Sequence, residues 1–437
     1  EFLAWLYNES PVKEKVVVND RWGSGMRFKH GGIYTPEYQP NLDFEDHYWE
    51  ESRGMGYSYG YNREEDAWDY NSTRSLVIAL IDKVSRGGNF LLDIGPDEHG
   101  KIPPIMQERL LQIGDWMQIN GEAIYGTTRW KTPVQWSAGR KDPGNAHKVP
   151  LDWNDQNDIM LKLTVDPDPG YAVKEIFYTY KPVSNTLYAI FPNYPSGRKL
   201  LLRDLVLPSG TNIYFTSLKD RSLSWEQKGT DVEVQLPEYD PALFSAPYAY
   251  AIRIENHGKF SSKPQMEISY PVGGLKPVIN LSHSAGARIY YTLDGSIPGP
   301  QGNLYTKPIE LEKSGTIRAI AASEDALPSS IVERTVNAYE WMSAERVNGT
   351  LRKGLQAQVF ELKPASTKDL ETATPVSKAV ADKIGLQLLR RQENTGLRFE
   401  GYVRIPEDAL YHFYLSSDDG SRLWIDGKEI IDHDGMH

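Results

Sequence analysis

The chain has 437 residues, 40% of them hydrophobic, which is enough for two to four domains with separate cores. Acidic residues outnumber basic ones by 59 to 48, which gives a formal net charge of −11. Because phosphate binding needs clustered Lys and Arg, a chain this acidic is not expected to bind nucleic acid. No apolar stretch reaches the roughly 18 residues that a membrane-spanning helix requires, so no membrane span is expected.

The side-chain inventory narrows the chemistry further. The chain contains no Cys, which excludes disulfides, thiolate metal sites and cysteine-based catalysis. It contains 26 Tyr and 11 Trp. Aromatic faces stack on the C–H surfaces of sugars, but aromatic residues also suit β-strands, so this composition fits a sugar-binding protein and an ordinary β-rich protein equally well.

Residues 1–126 alternate short apolar strands with amphipathic helices. Buried strands are predicted at 16–18 and 90–94, and helical periodicity predicts helices at 73–84 and 104–119. This alternation is typical of an α/β fold with a parallel sheet. Because a complete (β/α)8 barrel needs about 250 residues, we predict a partial barrel, its C-terminal half.

The helical period disappears after residue 126, and the remainder predicts three all-β sandwich-like modules. Short strands separated by Pro, Gly and Asp clusters place the first module at 127–256. The second, at 265–338, follows a polar linker and contains the hairpin signal Asp294-Gly295. The third, at 345–437, is predicted to be incomplete and includes a strand at 411–416.

Candidate functional residues of the first segment fall in loops after predicted strands, where barrel enzymes place their chemistry. Arg21 follows the first strand, and Glu37 stands among Tyr34, Pro36 and Tyr38. Glycoside hydrolysis needs two carboxyl groups flanking the scissile bond, and a partly dehydrated Glu suits the general acid. Arg21 offers a rigid fork for sugar hydroxyls or for a carboxylate. Each residue alone is more often structural or solvated.

The first segment resembles the C-terminal half of the catalytic domain of glycoside hydrolase family 29, the retaining α-L-fucosidases. The motifs that carry the resemblance are NDRWG (19–23), TPEY (35–38), WE (49–50), GYNR (60–63), SRGGNFLLDIGP (85–96) and NGEAIYG (120–126). Their order and spacing both agree with that family.

The resemblance implies roles for four residues. Glu37 matches the acid/base of one branch, and Glu50 is the alternative because other branches use a later Glu. Arg21 matches an Arg that reaches the substrate pocket, and Tyr59 matches an aromatic residue that packs on the C6 methyl group of fucose or, alternatively, is a core aromatic. The family nucleophile, an Asp, lies upstream of the helix with which this chain begins. We therefore expect the chain to lack the nucleophile and to be inactive alone.

The β modules also have resemblances. Residues 127–256 resemble the sandwich that follows the fucosidase barrel, and 265–338 resemble the small C-terminal domain of chitobiases and hexosaminidases. Residues 345–437 resemble the start of a protective-antigen-type module. In some lectin-like members of that group an adjacent Asp pair binds Ca²⁺ and sugar, so Asp418 and Asp419 are a candidate Ca²⁺ site or, alternatively, part of a polar turn.

These features together predict an exported bacterial protein, periplasmic or at the cell surface. Its predicted activity is that of a retaining, exo-acting α-L-fucosidase on fucosylated oligosaccharides or glycans, without a cofactor apart from structural Ca²⁺ at the Asp pair. Two alternatives stay open. One is a non-catalytic, multimodular carbohydrate-binding protein, and the other is a different exo-glycosidase such as a galactosidase.

Overall fold

The computed structural model divides the chain into two compact units, which are described separately. The first comprises Glu1–Lys263 and Ile320–Ser330, and the second comprises Pro264–Ala319 and Ile331–His437. The structure describes residues 2–23, 26–29, 32–38, 43–45, 47–141, 159–167, 169–271, 274–344, 347, 349–363, 365–391, 393–417 and 419–435.

The helices are concentrated in the first unit. In the described part of the chain they are α1 (Phe2–Asn8), α2 (Thr73–Ser85), α3 (Pro104–Asn120), α4 (Ile159–Lys162) and α5 (Asp369–Thr372). The two long helices agree with the periodicity in the sequence. Helix α2 begins after Ser72, whose hydroxyl accepts the Ser75 N–H at 3.1 Å, and α3 begins with Pro at its first position. No described helix has the length and apolar character needed to cross a bilayer.

The strands of the first unit are β1 (Glu50–Gly54), β2 (Asn89–Asp93), β3 (Thr128–Trp136), β4 (Lys174–Lys181), β5 (Thr186–Phe191), β6 (Lys199–Leu202), β7 (Ile213–Phe215), β8 (Trp225–Lys228), β9 (Asp231–Gln235) and β10 (Tyr250–Ile254). The later strands are β11 (Gln265–Ser269), β12 (Val278–Ser282), β13 (Arg288–Thr292), β14 (Asn303–Leu304), β15 (Ile309–Glu310), β16 (Gly315–Ala322), β17 (Val332–Val336), β18 (Leu355–Glu361), β19 (Ser377–Ala381), β20 (Thr395–Glu400), β21 (Ser421–Ile425) and β22 (Lys428–His433).

Parallel pairing organises the start of the first unit. Strands β1 and β2 pair in parallel and are joined through α2, as βαβ units require. Parallel bridges extend this arrangement upstream, from Asn19 to Ile33, from Tyr34 to Trp49 and from Glu37 to Ser52. The segment is therefore α/β with parallel pairing, as its sequence predicted.

The buried strand expected at 16–18 is wrong in detail. Only the end of that stretch is paired, where the Val18 carbonyl accepts the N–H groups of Gly32 and Ile33 at 2.6 and 3.1 Å. Val18 is buried, but Val17 exposes 70% of its surface. Because successive side chains of an extended segment point to opposite faces, three apolar residues in a row bury only one face here.

The two faces of β1 and β2 differ in the same way. Glu51 and Arg53 are buried, with the helices on their side of the sheet, and Leu92 packs against the helical core. On β2 the neighbouring Leu91 is half exposed. One face of the parallel strands is thus covered by helices, whereas apolar side chains of the other face reach solvent.

A β-sandwich packs against these helices within the same unit. Its five-stranded sheet has the order β3-β4-β5-β10-β7, and its three-stranded sheet has the order β6-β9-β8. One core lies between the sheets, and a second lies between the five-stranded sheet and helices α2 and α3. Every residue of β5 is buried, because this strand is covered on both sides. The indole N–H of Trp116 in α3 donates to the Ala249 carbonyl at 2.9 Å across the second core.

The second unit is built from β-sheets with the orders β11-β12-β15, β14-β13-β16-β17, β19-β18-β20 and β21-β22. Ile279, Ile289 and Ile317 lie at the centre of the core that the first two sheets share. The strand predicted at 411–416 is wrong, since no regular strand forms there, and Tyr414 is 92% exposed. Its aromatic pattern has no partner strand among the described residues to pair with.

Candidate active site

Arg21 is held in place by a buried carboxylate that acts through a threonine. Its Nε and Nη2 atoms donate to the hydroxyl and carbonyl of Thr35 at 2.8 and 2.7 Å. The Thr35 hydroxyl donates in turn to Asp20 at 2.7 Å, and Asp20 is fully buried. Burial opposes ionisation of Asp20, but hydrogen bonds from Phe28 and Thr35 outweigh it and lower the pKa of this carboxyl. Asp20 therefore holds Arg21 in place indirectly, through its hydrogen bond with Thr35.

Glu37 forms an ion pair with the Arg21 guanidinium. The two side chains expose 38% and 34% of their surface, so the pair lies at a wetted surface and not in the core. Glu37 pairs with Ser52 at the carboxyl end of its parallel segment, which is the end where barrel enzymes carry their chemistry. The structure thus brings together the two residues that the sequence singled out first.

Tyr59 completes this group. Its hydroxyl donates to the Ser52 carbonyl at 2.9 Å, and its ring meets Tyr38 edge-to-face with 5.3 Å between centroids. Burial raises the pKa of Tyr59, the Glu37 carboxylate adds to that rise, and Arg21 opposes it. Tyr59 is 36% exposed, so a ligand could reach it.

Glu50, the alternative acid/base, lies at the opposite end of its strand. It is the first residue of β1, paired with Asn89, and its N–H donates to the Tyr34 carbonyl at 2.9 Å. Glu37 is instead level with Ser52, two residues further toward the carboxyl end. Glu37 thus lies nearer than Glu50 to the carboxyl end of the parallel strands, and both are half-buried.

Tyr38 is a member of the site that the sequence analysis treated only as an apolar neighbour of Glu37. Its hydroxyl accepts the Gly54 N–H at 2.8 Å, and the Arg53 guanidinium lies 5.5 Å from the centre of its ring. A side chain that caps a strand end leaves no mark in the sequence pattern. Gly54 marks only the close packing at this strand end, because a Cβ atom there would overlap the Ser58 carbonyl first and would also press on the Tyr38 hydroxyl.

A buried network of charges behind β1 was also missed. It joins two carboxylates, Glu51 and Asp82, to four cations, and all six side chains are at least 95% buried; the cations are Arg53, Lys83, Arg86 and Lys174. Burial opposes the charge of Asp82, but Arg86, Lys174 and Lys83 dominate and hold its pKa far below the usual range. Burial lowers the pKa of Lys83 to about 8. A signal was present in the sequence, because Asp82-Lys83 interrupts the apolar face of α2.

The candidate Ca²⁺ site lies partly outside the described residues. Asp418 lies outside the described residues, and Asp419 is exposed. Among the residues that the structure describes, no three His, Asp or Glu side chains are grouped so that they could share a metal ion. The Asp pair stays a prediction.

Chemically, the arrangement offers one carboxyl group able to donate and accept a proton, with an arginine and two tyrosines beside it at the end of parallel strands. That is half of the equipment of a barrel glycoside hydrolase, whose chemistry uses two carboxyl groups.

Comparison with known families agrees with this class. Residues 1–122 match the family model Alpha-L-fucosidase, and 171–255 match the Alpha-L-fucosidase C-terminal domain. Residues 278–336 match the Fn3 associated model and 351–437 match the PA14 domain. The chain thus carries an α-L-fucosidase region of glycoside hydrolase family 29 followed by additional modules, and the family resemblance seen in the sequence is confirmed.

Individual relatives cover the first part of the chain. The plasma α-L-fucosidase of Rattus norvegicus is 36% identical over 260 residues, which are 59% of this chain and 49% of the relative. The α-L-fucosidase of Dictyostelium discoideum is 35% identical over 261 residues, 58% of this chain and 48% of the relative. A crystal structure of Thermotoga maritima α-fucosidase with a mechanism-based inhibitor shares 29% identity, with a TM-score of 0.41 over 58% of this chain and 48% of that one. The chain spans about half the length of the curated relatives it matches.

Proposed function

We propose that this chain is part of a retaining, exo-acting α-L-fucosidase that removes terminal α-L-fucosyl residues from oligosaccharides or glycans. In this proposal residues 1–126 form the C-terminal half of a (β/α)8 barrel, which the parallel pairings around β1 and β2 support. The observation that carries the proposal is the Arg21–Glu37 pair at the carboxyl end of these strands, within the region that matches the fucosidase family model.

In the proposed mechanism Glu37 is the acid/base. It first gives its proton to the glycosidic oxygen while a carboxylate nucleophile forms an ester bond to the anomeric carbon and the C–O bond to the leaving group breaks. It then takes a proton from the water that hydrolyses this ester. Tyr59 would pack on the C6 methyl group of fucose. The reaction needs no cofactor.

The nucleophile of this scheme is proposed to lie outside the chain. A retaining enzyme places its two carboxyl groups about 5 to 5.5 Å apart. Asp20, the carboxylate nearest to Arg21 along the chain, is fully buried and engaged by Thr35 and Phe28, so it cannot reach a sugar. In the complete protein the nucleophile would compete with Glu37 for Arg21, which would free Glu37 to hold the proton that an acid must deliver.

Kinetics of the complete protein that contains this chain test the proposal. We expect hydrolysis of an aryl α-L-fucoside with retention, and no comparable rate on aryl galactosides. Glu37→Gln should lower kcat/KM by about 10²- to 10⁴-fold for alkyl fucosides and far less for dinitrophenyl fucoside, whose leaving group needs no proton. Glu50→Gln is the matched control and should lack this leaving-group dependence.

Three results would contradict the proposal. Turnover by the 437-residue chain alone at the rate of the complete protein would place the nucleophile within it. A preference for galactosides would support a different exo-glycosidase. Fucose binding without turnover by the complete protein would support the non-catalytic carbohydrate-binding alternative.

A further inference from the structure

The hydrogen-bond ladder between the Glu37 segment and β1 changes its character just beyond Glu37. The Glu50 N–H donates to the Tyr34 carbonyl at 2.9 Å, and the Ser52 N–H donates to the Pro36 carbonyl at 3.0 Å. In a parallel ladder the next donor, Gly54, would bond the carbonyl two residues further on, that of Tyr38. It bonds the Tyr38 hydroxyl instead, at 2.8 Å.

The backbone explains this substitution. Tyr38 has φ +48°, in the left-handed region that bulky side chains rarely adopt. In this conformation the Tyr38 side chain, and not its carbonyl, reaches the Gly54 amide. A non-glycine residue is kept in such a conformation only where its surroundings hold it, and such positions cluster at functional sites.

The Tyr38 ring is held from two sides. The Arg53 guanidinium lies 5.5 Å from its centre, and Arg53 is fixed by the buried Glu51 carboxylate. On another side Tyr59 meets the ring edge-to-face, at 5.3 Å between centroids. Tyr38 therefore joins the buried charge network to both residues proposed to touch the sugar: Glu37 through the backbone and Tyr59 through the ring.

We propose that Tyr38 is a positioning residue, whose hydroxyl bond to the Gly54 amide fixes the direction of the Glu37 carboxyl toward the leaving-group oxygen. This inference rests on the proposed function, because it presumes that Glu37 is the general acid. Positioning of this kind affects rate more than affinity, since a displacement of about 1 Å can cost about 10²-fold.

Tyr38→Phe in the complete protein is the test, because it removes only the hydroxyl. We expect kcat/KM for an alkyl α-L-fucoside to fall by roughly 10- to 100-fold, and that for dinitrophenyl fucoside by less than about threefold. The matched control is Tyr194→Phe. Its hydroxyl donates to the Pro237 carbonyl at 2.8 Å within the sandwich, and its loss should leave both substrates unaffected.

A second measurement, on the chain described above, checks the hydrogen bond between the Gly54 amide and the Tyr38 hydroxyl. Hydrogen exchange at the Gly54 amide should quicken in Tyr38→Phe and stay unchanged in Tyr194→Phe. Unchanged exchange at Gly54 would overturn the inference, and so would an equal loss of rate on both fucosides, which marks general damage to the fold. If Glu37→Gln itself lacks the leaving-group dependence, the proposed function fails; if Glu37→Gln shows it and Tyr38→Phe does not, only the role of Tyr38 fails.

Discussion

Removing the Asp82 carboxylate should destabilise the first unit more than any surface change can. Asp82 receives Lys174 Nζ at 2.6 Å and Lys83 Nζ at 3.3 Å, and it also pairs with Arg86. At about 3 Å and an effective dielectric constant of about 20, each contact is worth about 5 kcal/mol before the cost of desolvation. In Asp82→Asn these cations stay buried with one carboxylate, that of Glu51, in the network. We expect the free energy of unfolding to fall by about 3 to 5 kcal/mol.

Urea denaturation followed by tryptophan fluorescence measures this loss, because Trp116 and Trp130 are buried in the first unit. The midpoint should drop while the slope stays constant. The control is Asp115→Asn on the exposed side of α3, which should stay within about 0.5 kcal/mol of the wild type. Adding Lys174→Met to Asp82→Asn should cost less than the sum of the two single changes.

The pH dependence of the free energy of unfolding tests the direction of the pKa shift of Asp82. The depressed pKa of Asp82 means that its contribution is present above the ordinary value of 3.8 and is lost as the pH falls below it. The gap between wild type and Asp82→Asn should therefore narrow in acid. A loss of free energy of unfolding below about 1 kcal/mol at pH 7 would refute the reasoning, since a buried cation without its carboxylate partner should destabilise the fold by more than that.

Three further outcomes follow from the structure. Burial lowers the pKa of Lys83 from 10.5 to about 8, so between these pH values the unfolded state binds more protons than the folded state. In urea titrations the stability of the wild type relative to Lys83→Met should therefore rise by roughly 1.4 kcal/mol per pH unit in this range. Gly95→Ala should cost about 1 to 3 kcal/mol, since its Cβ would overlap the backbone of Tyr61, whereas Gly60→Ala, with open space around it, should not lower the melting temperature. Arg21→Lys should lower kcat/KM of the complete protein by about 10-fold or more, because an ammonium cannot keep both hydrogen bonds to Thr35 and also bind a carboxylate, as the planar guanidinium can, and an unchanged rate would contradict that role.

The two long helices and the strand predicted at 90–94, observed as β2, followed from local patterns. Apolar spacing placed α2 and α3 to within a residue or two, because each presents one continuous apolar face to the core. The predictions failed at 16–18 and 411–416, where apolar residues are present without partners on both sides. Whether an apolar stretch forms a strand depends on the strands that pair with it, and a single sequence does not reveal those partners.

The sequence predicted the residues that would carry the chemistry of the candidate site, but not the residues that hold them in place. Arg21, Glu37 and Tyr59 lie together because they end or follow adjacent parallel segments, which motif order could indicate. Thr35 and Tyr38 act through hydrogen bonds that depend on backbone direction, above all the positive φ of Tyr38. No periodicity encodes such a turn, so the residues that hold the site had to be seen in three dimensions.

The double-sided burial of β5 bears on how this architecture can be rearranged. Family boundaries divide the first unit into a catalytic part and a C-terminal domain, as if either could be exchanged on its own. Yet α2 and α3 pack against the five-stranded sheet of that domain, and Lys174, the first residue of β4, forms an ion pair with a carboxylate of α2. A chimaera with its junction near residue 127 would need a donor sheet whose outer surface fits the same two helices. Recombination within such enzymes should therefore favour crossovers beyond residue 256. The catalytic part and the C-terminal domain would then be inherited together.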